Sequence, residues 1–262
     1  MAAFYNNIGK ELSIIAGPCV YEGFDHANMM IDALMDITHR QSVNFIYKTS
    51  FDKANRTSKD SFRGLQFNPA MSSWGGLQKK TGVEFLTDVH EQWQCNKVKA
   101  HILQIPAFLC RQTDLLYAAG KTKLPINVKK GQFLSPWEMK NVVEKLESVD
   151  CTKIILTERG TTFGYNNLVV DFRSIPIMKQ FGYPVAIDCT HGVQSPGGMG
   201  KTSGGDREMA RYIARAGLAV GADVVFMEVH ENPDKAPSDG PNMIRLDEFE
   251  KLISELKNIY GA

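Results

Sequence analysis

The sequence predicts an α/β protein, one (β/α)8 barrel over residues 1–262, on three observations. Eight short apolar runs recur, each of strand length and rich in β-branched or aromatic residues. Helical patterns lie between them, and strand alternating with helix is the mark of a parallel sheet. The length of 262 residues suits eight such units closed into one barrel, which commonly takes about 250 residues. An open doubly wound sheet is the competing arrangement. The glycine fingerprint that usually follows its first strand is missing from AGPCVYEG at 16–23.

The expected strands, in order, begin with LSIIAGP (12–18), NFIYKTS (44–50), VEFLTDV (83–89) and ILQIPAF (102–108). PINVKKG (125–131), KIILTER (153–159), PVAIDCT (184–190) and DVVFMEV (223–229) complete the set. Several are apolar almost throughout, as strands covered on both faces are. SPWEMKNVVEKLE (135–147) reads as a helix, with Ser135 as cap, Pro136 first and Glu138 closing a capping box. GDREMARYIARAGLAVG (205–221) has Asp206 as its cap, and DEFEKLISELKNIYG (247–261) has Asp247. Between the second and third strands, LQFNPAMSSWGGLQKKTG (65–82) carries Pro69, Gly75 and Gly76, which predict a short or altered helix.

Composition narrows the function. A net charge of +1 gives no basic excess, so neither nucleic acid nor a membrane surface is an expected partner. No apolar run reaches the ~18 residues of a membrane span. The opening MAAFYNNIGKELSIIAGPCV has no basic region ahead of an apolar one, so no signal peptide is expected. Cys19, Cys95, Cys110, Cys151 and Cys189 are odd in number and irregularly spaced, which points to a reducing, cytoplasmic setting.

In such barrels chemistry collects at the C-terminal ends of the strands. Cys19 follows the first run; Lys48, Lys53 and Arg56 attend the second; Asp88 and His90 end the third. Gln104 and Arg111 attend the fourth, Lys129 and Lys130 the fifth, Glu158 and Arg159 the sixth. Asp188 and His191 attend the seventh, and Glu228 and His230 the eighth. Lys48, Lys53, Arg56, Lys129, Lys130 and Arg159 form a basic subset. Cations gathered in one funnel repel unless an anion is expected, so a small, multiply anionic guest is the natural reading. The bland alternative is that they pair with Asp88, Glu158 and Asp188. Cys19, His191, Glu228 and Asp239 offer the thiolate, imidazole and carboxylates that bind divalent transition metals. Their wide spacing proves nothing by itself, and a lone cysteine after a strand is more often an inert buried thiol. The loop KANRTS (53–58) with SFRG (61–64) supplies arginines, hydroxyls and backbone N–H groups suited to a phosphate.

SPGGMGKTSGG (195–205) resembles a nucleotide-binding P-loop, but the leading glycine position holds Ser195 and no strand runs directly into it. A ligand-covering loop after the seventh strand or a plain surface turn fits better.

AGPCV, KTSFDKANRTS, SFRG, TDVHE, LQIPAFLCRQTDLL, NVKKGQFLSPW, TERGTTFGYNNLVVD, DCTHGVQSPGG, SGGDRE and EVHENPDKAPSDGPN follow one another along the chain. In that order these blocks resemble the 3-deoxy-D-manno-octulosonate 8-phosphate synthases, metal-dependent class. The resemblance implies a (β/α)8 barrel, usually a homotetramer. It implies condensation of phosphoenolpyruvate with D-arabinose 5-phosphate and water, in lipopolysaccharide inner-core sugar synthesis. Lys53, Gln104, Lys129 and Arg159 would hold phosphoenolpyruvate. Asn55, Arg56 and Thr57 would hold the sugar phosphate, with Arg111 supplied by a neighbouring subunit. Lys48 and Asp88 would face the reacting centre. Cys19 after AGP marks the metal-dependent members, so Cys19, His191, Glu228 and Asp239 would ligate zinc, iron(II), manganese or cadmium. Thr57 stands where serine is common, and 65–82 departs from the pattern. A related synthase with another aldose acceptor, a Schiff-base aldolase on Lys129, and a catalytically dead scaffold are the alternatives; no proposed ligand is missing, which speaks against the last.

Overall fold

Each of the eight apolar runs forms a strand. They are β1 (Ser13–Gly17), β2 (Asn44–Lys48), β3 (Phe85–Asp88) and β4 (Ile102–Ile105), then β5 (Ile126–Lys129), β6 (Ile154–Glu158), β7 (Val185–Asp188) and β8 (Val224–His230). The structure is a computed structural model that describes residues 2–56, 58–197 and 204–261. All neighbours pair in parallel and in chain order, and β1 also pairs with β8, so the sheet closes into a barrel. The P-loop-like residues 198–203 and the predicted site residue Thr57 lie outside the described residues.

Alternation along each strand decides what the barrel encloses. Ile46, Leu86, Ile102, Ile155, Ala186 and Phe226 fill its lower interior. Two residues further on, the same inward face carries Lys48, Asp88, Gln104, Thr157, Asp188 and Glu228, all buried. The apolar floor thus gives way to a polar layer at the C-terminal end. Below, Phe4 on the short helix Ala3–Asn7 closes the floor. Ala3 N and Phe4 N donate to the two carboxylate oxygens of Glu84 at 2.7 and 2.8 Å.

The surrounding helices are α1 (Phe24–Arg40), α2 (Phe67–Thr81), α3 (Gln92–Cys95), α4 (Thr113–Lys121), α5 (Met139–Glu147), α6 (Ser174–Lys179), α7 (Arg207–Ala219) and α8 (Leu246–Tyr260). Ser135 and Glu138 make the expected capping box, on a single 3-10 turn that leads into α5. Asp206 caps α7 by accepting from Glu208 N at 3.1 Å. Asp247 is not a cap: α8 starts one residue earlier, and Asp247 is held in its first turn by Arg245.

The expectation of a short helix over 65–82 is corrected, because α2 is a full 15 residues. Ala70, Met71, Trp74 and Leu77 share one buried face, and Trp74 packs edge-on against Tyr21 with ring centroids 5.8 Å apart. Burying Met71 and Leu77 contributes about 1.5–3 kcal/mol each. The two interior glycines cost about 1 kcal/mol each. Pro69 sits in the first turn, where its missing N–H has no partner to lose. Gly82 then ends the helix in the left-handed region at φ 72°.

Candidate active site

At the C-terminal ends of the strands the loops enclose a cavity of about 540 Å³. Lys48, Lys53, Arg56, Lys129 and Arg159 line it, together with Asp88, Asp188 and Asp239. The register of the sheet explains several juxtapositions. Gly17 is paired with Glu228, so Cys19, two residues on, arrives beside that carboxylate. A side chain at Gly17 would place its Cβ 2.2 Å from Lys48 O, so only glycine lets β1 and β2 approach here. Asp88 is paired with Gln104, and Gln104 Nε2 donates to Asp88 Oδ1 at 2.5 Å. Gln104 is itself held by Asn127 Nδ2 at 2.7 Å.

The cations fall into two kinds. Lys48 donates to Glu228 Oε1 at 2.9 Å, and Lys129 pairs with Asp188 while sitting 3.1 Å from the Phe226 ring centroid. Lys53 is 3.9 Å from Asp88, and Arg56 is 3.9 Å from Asp239, both at the edge of ion-pair range. Arg56 Nη2 and Arg159 Nη1 are buried without a hydrogen-bond partner among the described residues. A guanidinium left partly unsatisfied in a cavity is suited to an arriving carboxylate or phosphate. Burial shifts the whole layer. It pulls Lys129 down to about 8 and lowers Arg159 as well. Burial alone raises Asp88, but Lys48 and Lys53 outweigh it and hold its carboxyl well below the usual range. The same contest at Asp188 is won by His191 and Lys129.

Lys130 does not belong to the cavity. It is fully buried behind it, donating to Leu134 O at 3.2 Å and Thr161 Oγ1 at 3.0 Å, with Glu158 Oε2 at 3.6 Å. Arg63 of SFRG also turns away, forked onto Asp52 at 2.9 and 2.6 Å. Pairing with acids therefore accounts for part of the basic subset, and the arginines facing the cavity account for the anion reading. Asn55 lines the cavity. Arg111 is exposed and lies outside the cavity of its own chain.

Cys19, Glu228 and Asp239 each bring a donor atom within 4.8 Å of the other two. Cys19 Sγ is 3.1 Å from Asp239 Oδ2 and from Ser238 Oγ. His191 is not in that mutual group; it stands next to it, with Nε2 3.7 Å from Glu228 Oε1. Its Nδ1 is 2.8 Å from Asp188 Oδ2 but out of line for a hydrogen bond, while His191 N donates to Asp188 Oδ1 at 2.9 Å and anchors the residue there. Glu228 Oε2 is buried and has no hydrogen-bond partner among the described residues. Burial first, and Glu228 second, push the Cys19 thiol far above its ordinary range, so a thiolate here needs a cation. The donor set fits a divalent transition metal.

Sequence reasoning left out three residues that the geometry brings in. Asp188 orients His191 and pairs Lys129; its place at a strand end was visible, but it was weighed only as a counter-ion. Gln194 accepts from Arg159 Nη2 at 3.1 Å and donates to Asp239 Oδ1 at 2.9 Å. Phe226 lies under both Lys129 and Lys48, two residues before Glu228 on the inward face; that period-two offset was its one signal.

A (β/α)8 barrel whose mouth joins lysines and arginines to a thiol, an imidazole and carboxylates is a barrel built to act on a small anionic ligand. The chain belongs to the DAHP synthetase I family, which matches residues 5–260. It is similar to curated proteins named 2-dehydro-3-deoxyphosphooctonate aldolase. That of a Cyanothece sp. is 54% identical over 97% of this chain and 94% of the relative. Those of Bartonella henselae and Rickettsia bellii are each 52% identical, over 93% and 95% of this chain and 88% and 93% of the relative.

Proposed function

We propose that this chain condenses phosphoenolpyruvate with D-arabinose 5-phosphate and water to give 3-deoxy-D-manno-octulosonate 8-phosphate and inorganic phosphate, a step toward the lipopolysaccharide inner core. The observation that carries the reading is the pair of buried arginine nitrogens, on Arg56 and Arg159, without hydrogen-bond partners among the described residues in a cavity already lined by three lysines. Two phosphorylated substrates need two such anion contacts.

Lys53, Lys129, Arg159 and Gln104 hold phosphoenolpyruvate, and Asn55, Arg56 and Thr57 hold the sugar phosphate. C3 of the enol bonds to the aldehyde carbon while water adds at C2. The C2–O bond to phosphate then breaks, and inorganic phosphate leaves. Lys48, charged and buried, faces the carboxylates of Asp88 and Glu228 and holds a proton at Nζ beside the reacting atoms. Asp88, pinned by Ser50 Oγ and Gln104 Nε2, keeps its charge fixed in the same layer. Asp188 orients His191 and keeps Lys129 in place. Cys19, His191, Glu228 and Asp239 would hold a divalent ion, zinc, iron(II), manganese or cadmium, that supplies Lewis acidity when bound.

A homotetramer is supported by Phe108, Trp137 and Phe163, which are 59, 66 and 71% exposed on neighbouring loops of the same face. Arg111, three residues from Phe108, is then available to a neighbouring cavity. A cytoplasmic setting is supported by five cysteines that are all free and buried. Among the described residues no helix is long and apolar enough to cross a membrane.

The test is phosphate release from the two substrates, stopped by a chelator and restored by divalent metal. A folded, metal-loaded sample that releases no phosphate sinks the reading, and a panel of other phosphorylated aldoses checks the acceptor.

A further inference from the structure

Beside the catalytic cavity, four side chains meet that the reaction does not use: Glu22, His26, His230 and Glu231. We propose that Glu22, His26 and His230 form a second divalent metal site of the zinc type, with Glu231 orienting the imidazoles. This goes beyond the proposed reaction and stands independently of it.

Glu22, His26 and His230 each offer a donor atom within 4.8 Å of the other two. His26 places Nε2 2.9 Å from Glu231 Oε2, and its Nδ1 is buried without a hydrogen-bond partner among the described residues. An imidazole anchored by a carboxylate through one nitrogen and bare at the other is how metal-binding histidines are commonly held. His230 is 2% exposed, with Nε2 2.9 Å from Glu22 Oε1 and Nδ1 3.1 Å from Glu231 Oε2. Nδ1 also accepts from Asn232 N at 2.9 Å. The Asn232 contact puts the ring proton on Nε2, toward Glu22; ligation through Nε2 moves that proton to Nδ1, where Glu231 Oε2 at 3.1 Å accepts it once the Asn232 N–H turns away.

Charge points the same way. Among the described residues, no lysine or arginine nitrogen lies within 4.0 Å of the Glu22 or Glu231 carboxylate; both pair only with histidines. Two carboxylates beside two imidazoles lack a full counter-charge, which a divalent ion supplies. Two nitrogens and one oxygen suit zinc, cobalt or nickel better than magnesium or calcium.

The position gives the ion a consequence. Glu22 follows Cys19 by three residues, and His230 follows Glu228 by two. An ion here ties the loop after β1 to the end of β8, the two segments that present Cys19 and Glu228 to the cavity.

The experiment titrates metal-free protein with cobalt(II), followed by absorbance and by equilibrium dialysis. Wild type is expected to bind two ions per chain. Only the ion at Cys19 gives a sulfur-to-metal charge-transfer band. His26→Ala and His26→Gln lose the sulfur-free ion and keep that band; Cys19→Ala loses the band and keeps the other ion. Zinc should raise the melting temperature of Cys19→Ala by a few degrees and leave Cys19→Ala/His26→Ala unmoved. Circular dichroism of His26→Gln guards against misfolding. Saturation of wild type by one sulfur-bound ion, or two ions retained by both His26 variants, overturns the proposal. A wild type that binds the sulfur-free ion without the band supports this site and counts against the one at Cys19.

Discussion

Lys48 Nζ donates a 2.9 Å hydrogen bond to Glu228 Oε1 from the far side of β1, with each side chain 1% exposed. Burial favours a neutral lysine, yet Glu228 and Asp88 outweigh it and keep Lys48 charged. Removing one partner of such a pair leaves the other charge buried alone, which costs about 3–5 kcal/mol. Lys48→Met should therefore lose about that much stability in metal-free urea unfolding. Divalent metal should restore part of it by giving Glu228 a new counter-ion, and Lys48→Met/Glu228→Gln should not need the metal. A loss below about 1 kcal/mol would show that the pair is not isolated from water.

Lys129 predicts a pH dependence. Burial pulls its pKa down to about 8, against the opposing pull of Asp188. Below that pH the cavity presents a cation; above it Lys129 is neutral unless an anion draws the proton back. Binding of phosphoenolpyruvate then takes up a proton, and affinity should fall by up to about tenfold per pH unit above pH 8. Calorimetry at pH 8.5–9 in buffers of different ionisation heat reads the proton uptake directly. Lys129→Met should bind weakly at all pH values and show no uptake; uptake that survives the substitution would assign the proton elsewhere.

Most of the barrel was legible because its signals are local. Strand-length apolar runs and the Ser135 and Asp206 caps depend on neighbours in sequence, and all appear in the structure. The segment 65–82 was misjudged because propensity was weighed there without knowing that Trp74 meets Tyr21 and Phe85. At the site, strand-end position gathered Lys48, Asp88, Gln104, Lys129 and Glu228 at one mouth, and the structure has them there. It could not separate Lys129 from Lys130, since one step along a strand reverses the direction of a side chain. Gln194 escaped notice because a glutamine in a loop carries no charge signal; its meaning lies in two partners 35 and 45 residues away.

Gln194 joins Arg159 to Asp239, and each hydrogen bond to a charged group is worth about 1.5–3 kcal/mol. Gln194→Leu frees Arg159 from its orientation and strips Asp239 Oδ1 of its donor. The expected result is a KM for phosphoenolpyruvate raised roughly ten- to a hundredfold, with kcat changed less. Metal affinity measured without substrate should weaken in the same variant, because Asp239 is loosened. Unchanged values for both would mean that the bridge holds neither group.

Arg111 is exposed and lies outside its own cavity, three residues from the exposed Phe108. If it completes the site of a neighbouring subunit, two inactive variants should complement each other. Arg111→Ala lacks the arginine it lends; Lys129→Met lacks a cation of its own cavity. In a mixed oligomer, an Arg111→Ala subunit keeps a complete cavity lining and borrows Arg111 from a Lys129→Met neighbour. Random assortment of an equal mixture makes roughly a quarter of the sites whole. Phosphate release after co-expression or joint refolding should recover to about that fraction of wild type, whereas the two proteins mixed as preformed oligomers should stay inactive. If co-assembled oligomers, verified by differential tagging, show no recovery, then Arg111 does not act across the subunit boundary.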